Sequence, residues 1–430
     1  MSINSWTVLI YADGNNELEP EITEAVERLK IENIESNFNI LVQLARADEW
    51  LVKKFRGSID TNLNNRWSGV RRYLINENGP QEVEVLENVN MADPKTLYDF
   101  LLWGLNNYKA DKVMVVLSGH GAGFVGAMTD FTFEKPYMMS LDGLINVFYM
   151  VYEQTRIKIE VVLLDSCYMN LVEIWYEFLS IPFNPIRYLL VANDNIGIEG
   201  ISYFMLIRYL QVNRSKYKET KDVLINTIDD FNKNDKIEDK LILVNLEKTK
   251  FETLKNSLNN ISKIIIENNI DIKCELKKEL IYERVTPFIS IIDLCIYIKS
   301  KLKLSFSDWN IDRIIRSIKY IVIYPDIDEL SIDANKGPAV YLPINLYEFD
   351  EFKEYYDKLL FSYDNNWRMI LDRKREIPGQ KNEIKNYNTF VSPIILKVKY
   401  VISSILEERN NILVREAIDI IEALGWNKNL

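Results

Sequence analysis

A histidine and a cysteine occupy matching settings in this chain. The segments Leu117-Ser118-Gly119-His120-Gly121-Ala122-Gly123 and Leu164-Asp165-Ser166-Cys167-Tyr168-Met169-Asn170 each follow a short apolar run that reads as a buried strand. A thiol titrates near ~8.5 and attacks as its thiolate, so a cysteine nucleophile needs a partner that takes and returns a proton. The glycines beside His120 permit a tight turn and leave the Gly121 N–H open toward a reacting oxygen. An isolated histidine is more often a structural residue, and an isolated cysteine a small buried hydrophobe. Position separates this pair from those cases, because open parallel sheets bind ligands outside the carboxyl ends of their strands. His120 is the sole histidine, which excludes a multi-histidine zinc site and the two-histidine helical motif of metalloproteases. The remaining cysteines, Cys274 and Cys295, fall in helical patterns and read as core residues. Three cysteines cannot make a disulfide framework, which fits a reducing compartment.

The same loop suggests a different chemistry. Gly121 to Gly126 (GAGFVG) matches the dinucleotide fingerprint G-x-G-x-x-G after a strand, the basis of a nucleotide-binding regulatory reading. That fingerprint requires a helix that starts inside the glycine pattern and meets the pyrophosphate. Here Ala127 to Pro136 (AMTDFTFEKP) has no helical period. Ala127 also stands where a P-loop would carry its lysine, and no G-x-S-x-G elbow is present.

Five apolar runs position these loops: Thr7–Tyr11, Ile40–Leu44, Val113–Leu117, Val161–Leu164 and Leu189–Ala192. They are almost free of polar residues, as parallel strands covered on both faces must be. Helical patterns lie between them. One follows Pro20, one follows Asp93-Pro94 as N-cap and first position, and others span Leu141–Tyr152, Asn170–Leu179 and Ile201–Gln211. The alternation predicts an α/β domain over residues 1–245 with a doubly wound, mostly parallel sheet flanked by helices. Composition then shifts toward Lys, Asn and Ile. Helices are expected at Leu246–Asn268, Lys273–Arg284, Ile289–Leu302 and Trp309–Tyr320, strands at Ile321–Tyr324 and Ala339–Leu342, and further helices at Glu351–Tyr363 and Trp367–Arg373. Residues 246–375 thus form a helical and strand extension on the first domain. Residues 376–430 read as a linker with a Pro378-Gly379 step and a C-terminal helical piece from Ile394 to about Leu424.

The chain has 430 residues, 47% hydrophobic and 27% charged, so it can bury a sizeable core. Lys and Arg total 52 against 63 for Asp and Glu, a net charge of 52 − 63 = −11. That balance argues against nucleic acid as a partner. No run of eighteen uncharged apolar residues occurs and no leader-like segment is read, so no membrane and a cytoplasmic location are expected.

With these residues in place, the chain resembles the clostripain-like cysteine peptidases, relatives of the caspases, gingipains and legumains. The likeness rests on the two catalytic segments, on Trp6 to Glu19 (WTVLIYADGNNELE), on Asn90 to Leu97 (NMADPKTL) and on Gly337 to Pro343 (GPAVYLP). It covers roughly residues 5–375. The chain departs in carrying Ser118-Gly119 where relatives often have a bulkier pair, and no secretion signal like that of well-known relatives is expected from its sequence.

The resemblance implies a caspase-like fold with a largely helical C-terminal part, and a cysteine endopeptidase that cuts proteins or peptides after Arg or Lys. Cys167 would be the nucleophile, His120 the proton-transfer partner, and the Gly121 and Cys167 N–H groups the oxyanion donors. No second histidine and no Asp or Asn is identifiable as an orienter, so a Cys-His dyad is expected. Asp165 maps onto a pocket-lining aspartate, with Asp194 as a second wall or, equally, a turn aspartate. No cofactor is required. Calcium serves some relatives, and Asp13, Glu17 and Glu19 lie near one sheet edge, although no spaced oxygen-ligand loop is present. The alternative is a caspase-like regulatory or zymogen module that an activating protein, a ligand or an upstream protease switches on. Relatives that mature by self-cleavage are cut in the loop after the histidine. Here the sole basic residue from Gly121 to Glu153 is Lys135, followed by Pro136, so an intact chain is expected.

Overall fold

The five apolar runs become the five central strands of a nine-stranded sheet. The computed structural model describes residues 5–372 except 32–33, 35–36, 57–66, 88, 134–136, 194–195, 198–199, 235–239, 269–271, 273–287, 303–306, 326–337 and 344–345. In chain order the strands are β1 (Trp6–Gly14), β2 (Phe38–Arg46), β3 (Gly69–Asn76), β4 (Gly79–Val85), β5 (Lys112–Ser118), β6 (Gly126–Asp130), β7 (Tyr137–Ser140), β8 (Ile159–Asp165), β9 (Ile186–Ala192), β10 (Leu241–Asn245), β11 (Phe288–Ser290), β12 (Val322–Tyr324) and β13 (Ala339–Tyr341), and the first helices are α1 (Glu19–Glu27), α2 (Glu49–Arg56), α3 (Pro94–Asn107), α4 (Leu141–Thr155), α5 (Val172–Ser180) and α6 (Tyr203–Lys216). The main sheet runs β12-β10-β9-β8-β5-β1-β2-β3-β4. Its centre, β9-β8-β5-β1-β2, is parallel throughout. Antiparallel strands close both edges. The parallel strands alternate their side chains between two cores. Leu9, Tyr11, Val115, Leu117, Val162 and Leu164 face one side; Val8, Ile10, Val116, Val161 and Leu163 face the other. Both faces are dry, which is why these runs contain so few polar residues.

The expected fold class stands, and the departures lie at the edges. β3 and β4 form a hairpin whose outer strand exposes Glu82 and Glu84, so it lacks a buried-strand pattern. Helices Glu49–Arg56 and Thr220–Asn234 were also not anticipated. Asp93 caps helix α3 (Pro94–Asn107), its Oδ1 accepting from the Lys95 N–H at 2.8 Å. Helix α3 crosses β1 so closely that a Cβ on Gly104 would lie 2.2 Å from a Leu9 methyl. The expected helix at Lys273–Arg284, Gly337, Cys274 and everything from residue 373, including the 376–430 linker and helix, lie outside the described residues. Among the described residues no helix is long and apolar enough to cross a membrane.

The described residues of 246–372 build no separate core. β12 extends the main sheet, and Phe251, Ile291, Tyr341, Tyr356 and Trp367 share one cluster with β5 and β8. Two buried glutamates on helix α5 (Val172–Ser180) fasten this half. Glu173 Oε1 accepts from the Tyr341 N–H (2.8 Å) and the Tyr356 hydroxyl (3.2 Å), and Glu177 Oε1 accepts from the Phe361 N–H (3.0 Å). Burial pushes the Glu173 carboxyl from 4.5 up to about 7, with the Glu177 charge adding to the rise. The folded chain therefore keeps a proton that the unfolded chain releases near 4.5, so stability falls as pH rises from about 5 toward 7. Burial raises Glu177 to about 7 as well, so thermal melts of Glu173→Gln should show a shallower decline than wild type, lacking the share that Glu173 contributes, and sit about 1–3 kcal/mol above wild type at pH 8. Parallel pH profiles for the two proteins would contradict this.

Candidate active site

β1 stands between β2 and β5, so the chain leaves β1 in one direction and returns on its other side. The strand order therefore reverses between β1 and β5, where open α/β sheets form their ligand crevice. The Asp13–Glu19 turn leaves β1 at this point and the His120 loop leaves β5. Next to β5 is β8, in a register that pairs Ser118 with Asp165. That offset, 165 − 118 = 47, equals the His120–Cys167 separation, so both side chains stand two residues beyond paired positions. The loops also touch. A Cβ on Gly121 would lie 2.3 Å from the Cys167 carbonyl oxygen and 3.1 Å from its nitrogen, so only glycine allows this approach.

His120 is 9% exposed, and its Nε2 lies 2.9 Å from Oε1 of Glu17, itself 2% exposed. With the carboxylate ionised, the Nε2 hydrogen points at Glu17, which fixes the ring and its tautomer. The dyad expectation had no such group. Glu17 comes from β1, and nothing in the sequence says that β1 neighbours β5. Its turn is held rigidly. Asn16 Nδ2 donates to the Asp13 and Thr129 carbonyls (3.1 and 3.0 Å), while its Oδ1 accepts from the Leu18 N–H (2.9 Å). Asn15 Nδ2 donates to Asp130 Oδ2 (2.7 Å), which also accepts from the Met91 N–H (2.8 Å). The Met128 N–H in turn donates to the His120 carbonyl (2.8 Å). The Trp6–Glu19 and Asn90–Leu97 segments thus meet on one strand, β6, that braces the histidine loop. Burial raises the carboxyls of both Asp13 and Asp130 above their ordinary range.

The three carboxylates considered for calcium separate. Glu17 is on His120, Glu19 pairs with Arg46 at 2.7 Å and accepts from Thr23, and Asp13 accepts from the Asn15 N–H. Among the described residues no three His, Cys, Asp or Glu side chains come together to hold a metal. These donors do not fit the ion, and no step below uses it.

Cys167 is partly exposed, and its thiol donates to the Ile196 carbonyl at 3.6 Å. Cys295 is buried in the core, which pushes its thiol up to about 12. Aromatic contacts from the second half support both loops. Phe124 packs on Tyr341 and Tyr356 with centroids 4.8 and 5.1 Å apart, and Tyr168 on Phe288 at 5.5 Å. The Ala339 N–H donates to the Asn170 carbonyl at 3.0 Å.

Asp165 ends β8 two residues before the thiol and is 5% exposed. Its Oδ2 accepts from the Ser118 hydroxyl at 2.9 Å and from the Tyr203 hydroxyl. Oδ1 has no hydrogen bond of normal geometry. Burial raises this carboxyl from 3.8 to about 6, against the lowering effect of the two hydroxyls and the Ile201 N–H. Asp194, Lys135 and Pro136 lie outside the described residues.

The comparisons with known proteins agree with this layout. The model of the clostripain family matches residues 10–373. The chain belongs to the clostripain family. Clostripain from Hathewaya histolytica is 27% identical over 129 residues, covering 27% of this chain and 23% of clostripain. Among solved structures, the inactive zymogen of a protease from Parabacteroides distasonis is 15% identical, with a TM-score of 0.57 over 85% of this chain and 99% of that one. A secreted cysteine protease from Bacteroides thetaiotaomicron in complex with an irreversible peptide inhibitor is 14% identical, with the same score and coverage. These likenesses show the shared fold. They lend no support to the cytoplasmic location expected from the sequence.

Proposed function

We propose that this clostripain-family chain is a cysteine endopeptidase that cleaves proteins or peptides after arginine or lysine. The observation that carries the reading is the matched register of β5 and β8, which sets His120 and Cys167 level at the crevice of the sheet. Cys167 Sγ attacks the scissile carbonyl carbon, and its proton passes to His120. The N–H groups of Gly121 and Cys167 hold the oxyanion. Collapse breaks the C–N bond as His120 protonates the departing amine, leaving a thioester. Water then attacks with His120 as base, releasing the new carboxylate and restoring the thiol. Glu17 holds the imidazole ring throughout and stabilises its charged form.

Asp165 supports basic specificity. It is a buried carboxylate with one oxygen, Oδ1, lacking a hydrogen bond of normal geometry, two residues from the nucleophile. Gly200 lies on the adjacent loop, where a Cβ would come 3.8 Å from Asp165 Oδ2. A guanidinium on a desolvated carboxylate makes a charge-assisted, often bidentate pair. Losing such a pair costs about 2–5 kcal/mol. A fluorogenic peptide panel should therefore show Arg and Lys favoured before the scissile bond, and Asp165→Asn should cut kcat/KM for Arg peptides more than tenfold. Preference for Asp or for large apolar residues would overturn the specificity reading.

A further inference from the structure

Ser118 and Tyr203 belong to no part of the mechanism above, yet both hydroxyls meet at one oxygen of Asp165. Ser118 is the last residue of β5, two before His120, and Tyr203 opens helix α6 (Tyr203–Lys216) just after the glycine-bearing loop. The three groups close a small ring: Ser118 Oγ to Asp165 Oδ2 at 2.9 Å, Tyr203 hydroxyl to Ser118 Oγ at 2.5 Å, and Tyr203 hydroxyl to Asp165 Oδ2. All are nearly inaccessible, at 3%, 2% and 5% exposed for Ser118, Tyr203 and Asp165. The ring uses Oδ2 and leaves Oδ1 without a hydrogen bond of normal geometry. Gly200, held at φ +66°, brings the loop over the carboxyl with its Cα–H side 3.8 Å from Oδ2 measured at a would-be Cβ. On the same loop the Ile196 carbonyl receives the Cys167 thiol. Ile196 meets the thiol, and Gly200 and Ile201 meet the carboxylate.

We infer that Ser118 and Tyr203 are positioning residues that hold Asp165 ionised with Oδ1 facing the substrate's basic side chain, and so set the pH range over which basic residues are recognised. The inference rests on the reading of Asp165 as the basic-residue carboxylate. Three groups counter the burial of Asp165: the Tyr203 phenol from α6, the Ser118 hydroxyl from β5 and the Ile201 N–H from the loop. Among the described residues no lysine or arginine contributes, so hydroxyl donors do the work that a cation would do in a salt bridge. A cation there would itself occupy the oxygen that the substrate needs, whereas the two hydroxyls stabilise the charge at Oδ2 and leave Oδ1 to the substrate. The arrangement also keeps the phenol protonated, because the Asp165 charge and burial both push Tyr203 well above its ordinary value.

The test uses the full-length enzyme and an Arg peptide. Wild-type kcat/KM should fall on the acid side with a midpoint near 6, reporting free-enzyme ionisation. A hydrogen bond to a charged group is worth enough to move that midpoint by about one pH unit when removed. Tyr203→Phe and Ser118→Ala should each shift the acid limb upward by about one unit. Their deficit should be about fivefold near pH 6 and vanish near pH 9. The pH profile for alkylation of Cys167 by iodoacetamide, which does not use the pocket, should stay as in wild type; a general structural defect would move both profiles. Retention of the wild-type acid limb by the two variants, with Asp165→Asn still abolishing the Arg preference, would overturn the inference alone. An unchanged Arg preference in Asp165→Asn would remove the underlying reading as well. If Tyr203→Phe does not melt cooperatively, Ser118→Ala decides the matter by the same criteria.

Discussion

Cys167→Ala will lower peptide hydrolysis by roughly 10⁴-fold or more, the scale seen when a catalytic nucleophile is removed, while Cys295→Ala will leave kcat within about twofold. The contrast follows from surroundings. Cys167 is partly exposed at the end of β8 and faces the loop of the sole histidine. Cys295 is 1% exposed in the apolar core, where burial holds its proton up to about 12, so it supplies almost no thiolate at neutral pH. Truncating Cys295 removes one buried sulfur, a cost paid in stability, so kcat is compared at a temperature where both variants are folded. Initial rates on a fluorogenic Arg peptide check the prediction. Full activity in Cys167→Ala would end the nucleophile assignment.

The second large effect is expected at Glu17. Glu17→Gln keeps the volume and an oxygen acceptor but removes the charge that stabilises the imidazolium and fixes the Nε2–H tautomer. Loss of the equivalent carboxylate in serine proteases costs on the order of 10⁴ in kcat. In the proposed mechanism His120 serves mainly to protonate the leaving amine, so a loss of roughly 10²–10⁴ in kcat is expected with KM little changed. Glu17→Asp should fall between, because its shorter side chain cannot span the 2.9 Å contact from the same backbone position. A KM effect with unchanged kcat would show that Glu17 contacts substrate rather than the histidine.

The sequence was legible where burial on both faces forces a pattern. All five central strands fall at the predicted runs, and the shared spacing of the two loops matches the β5–β8 register. The edge hairpin β3–β4 was not legible, since Glu82 and Glu84 face solvent and break the apolar run. At the site, local motifs pointed to His120, Gly121, Cys167 and Asp165. They could not point to Glu17, Ser118 or Tyr203 as partners, because those pairings depend on which strands are neighbours. Glu17 reaches His120 only because β1 lies beside β5, and Tyr203 reaches Asp165 only because α6 starts under the end of β8. The carboxylates grouped for calcium were close in sequence but take different partners: Glu17 meets the His120 loop and Glu19 meets Arg46 of β2, while Asp13 accepts from Asn15 within its own turn.

The most direct test of the central claim is peptide mapping after treatment with a basic peptidyl acyloxymethyl ketone. In the displacement, a thiolate sulfur bonds the ketone's methylene carbon and the carboxylate departs, so the adduct marks the reactive cysteine. The account predicts one adduct per chain, on Cys167, abolished by excess Arg peptide and reduced in Asp165→Asn. An adduct on Cys274 or Cys295 in active enzyme, or full activity with Cys167 unlabelled and labelling complete elsewhere, would contradict it.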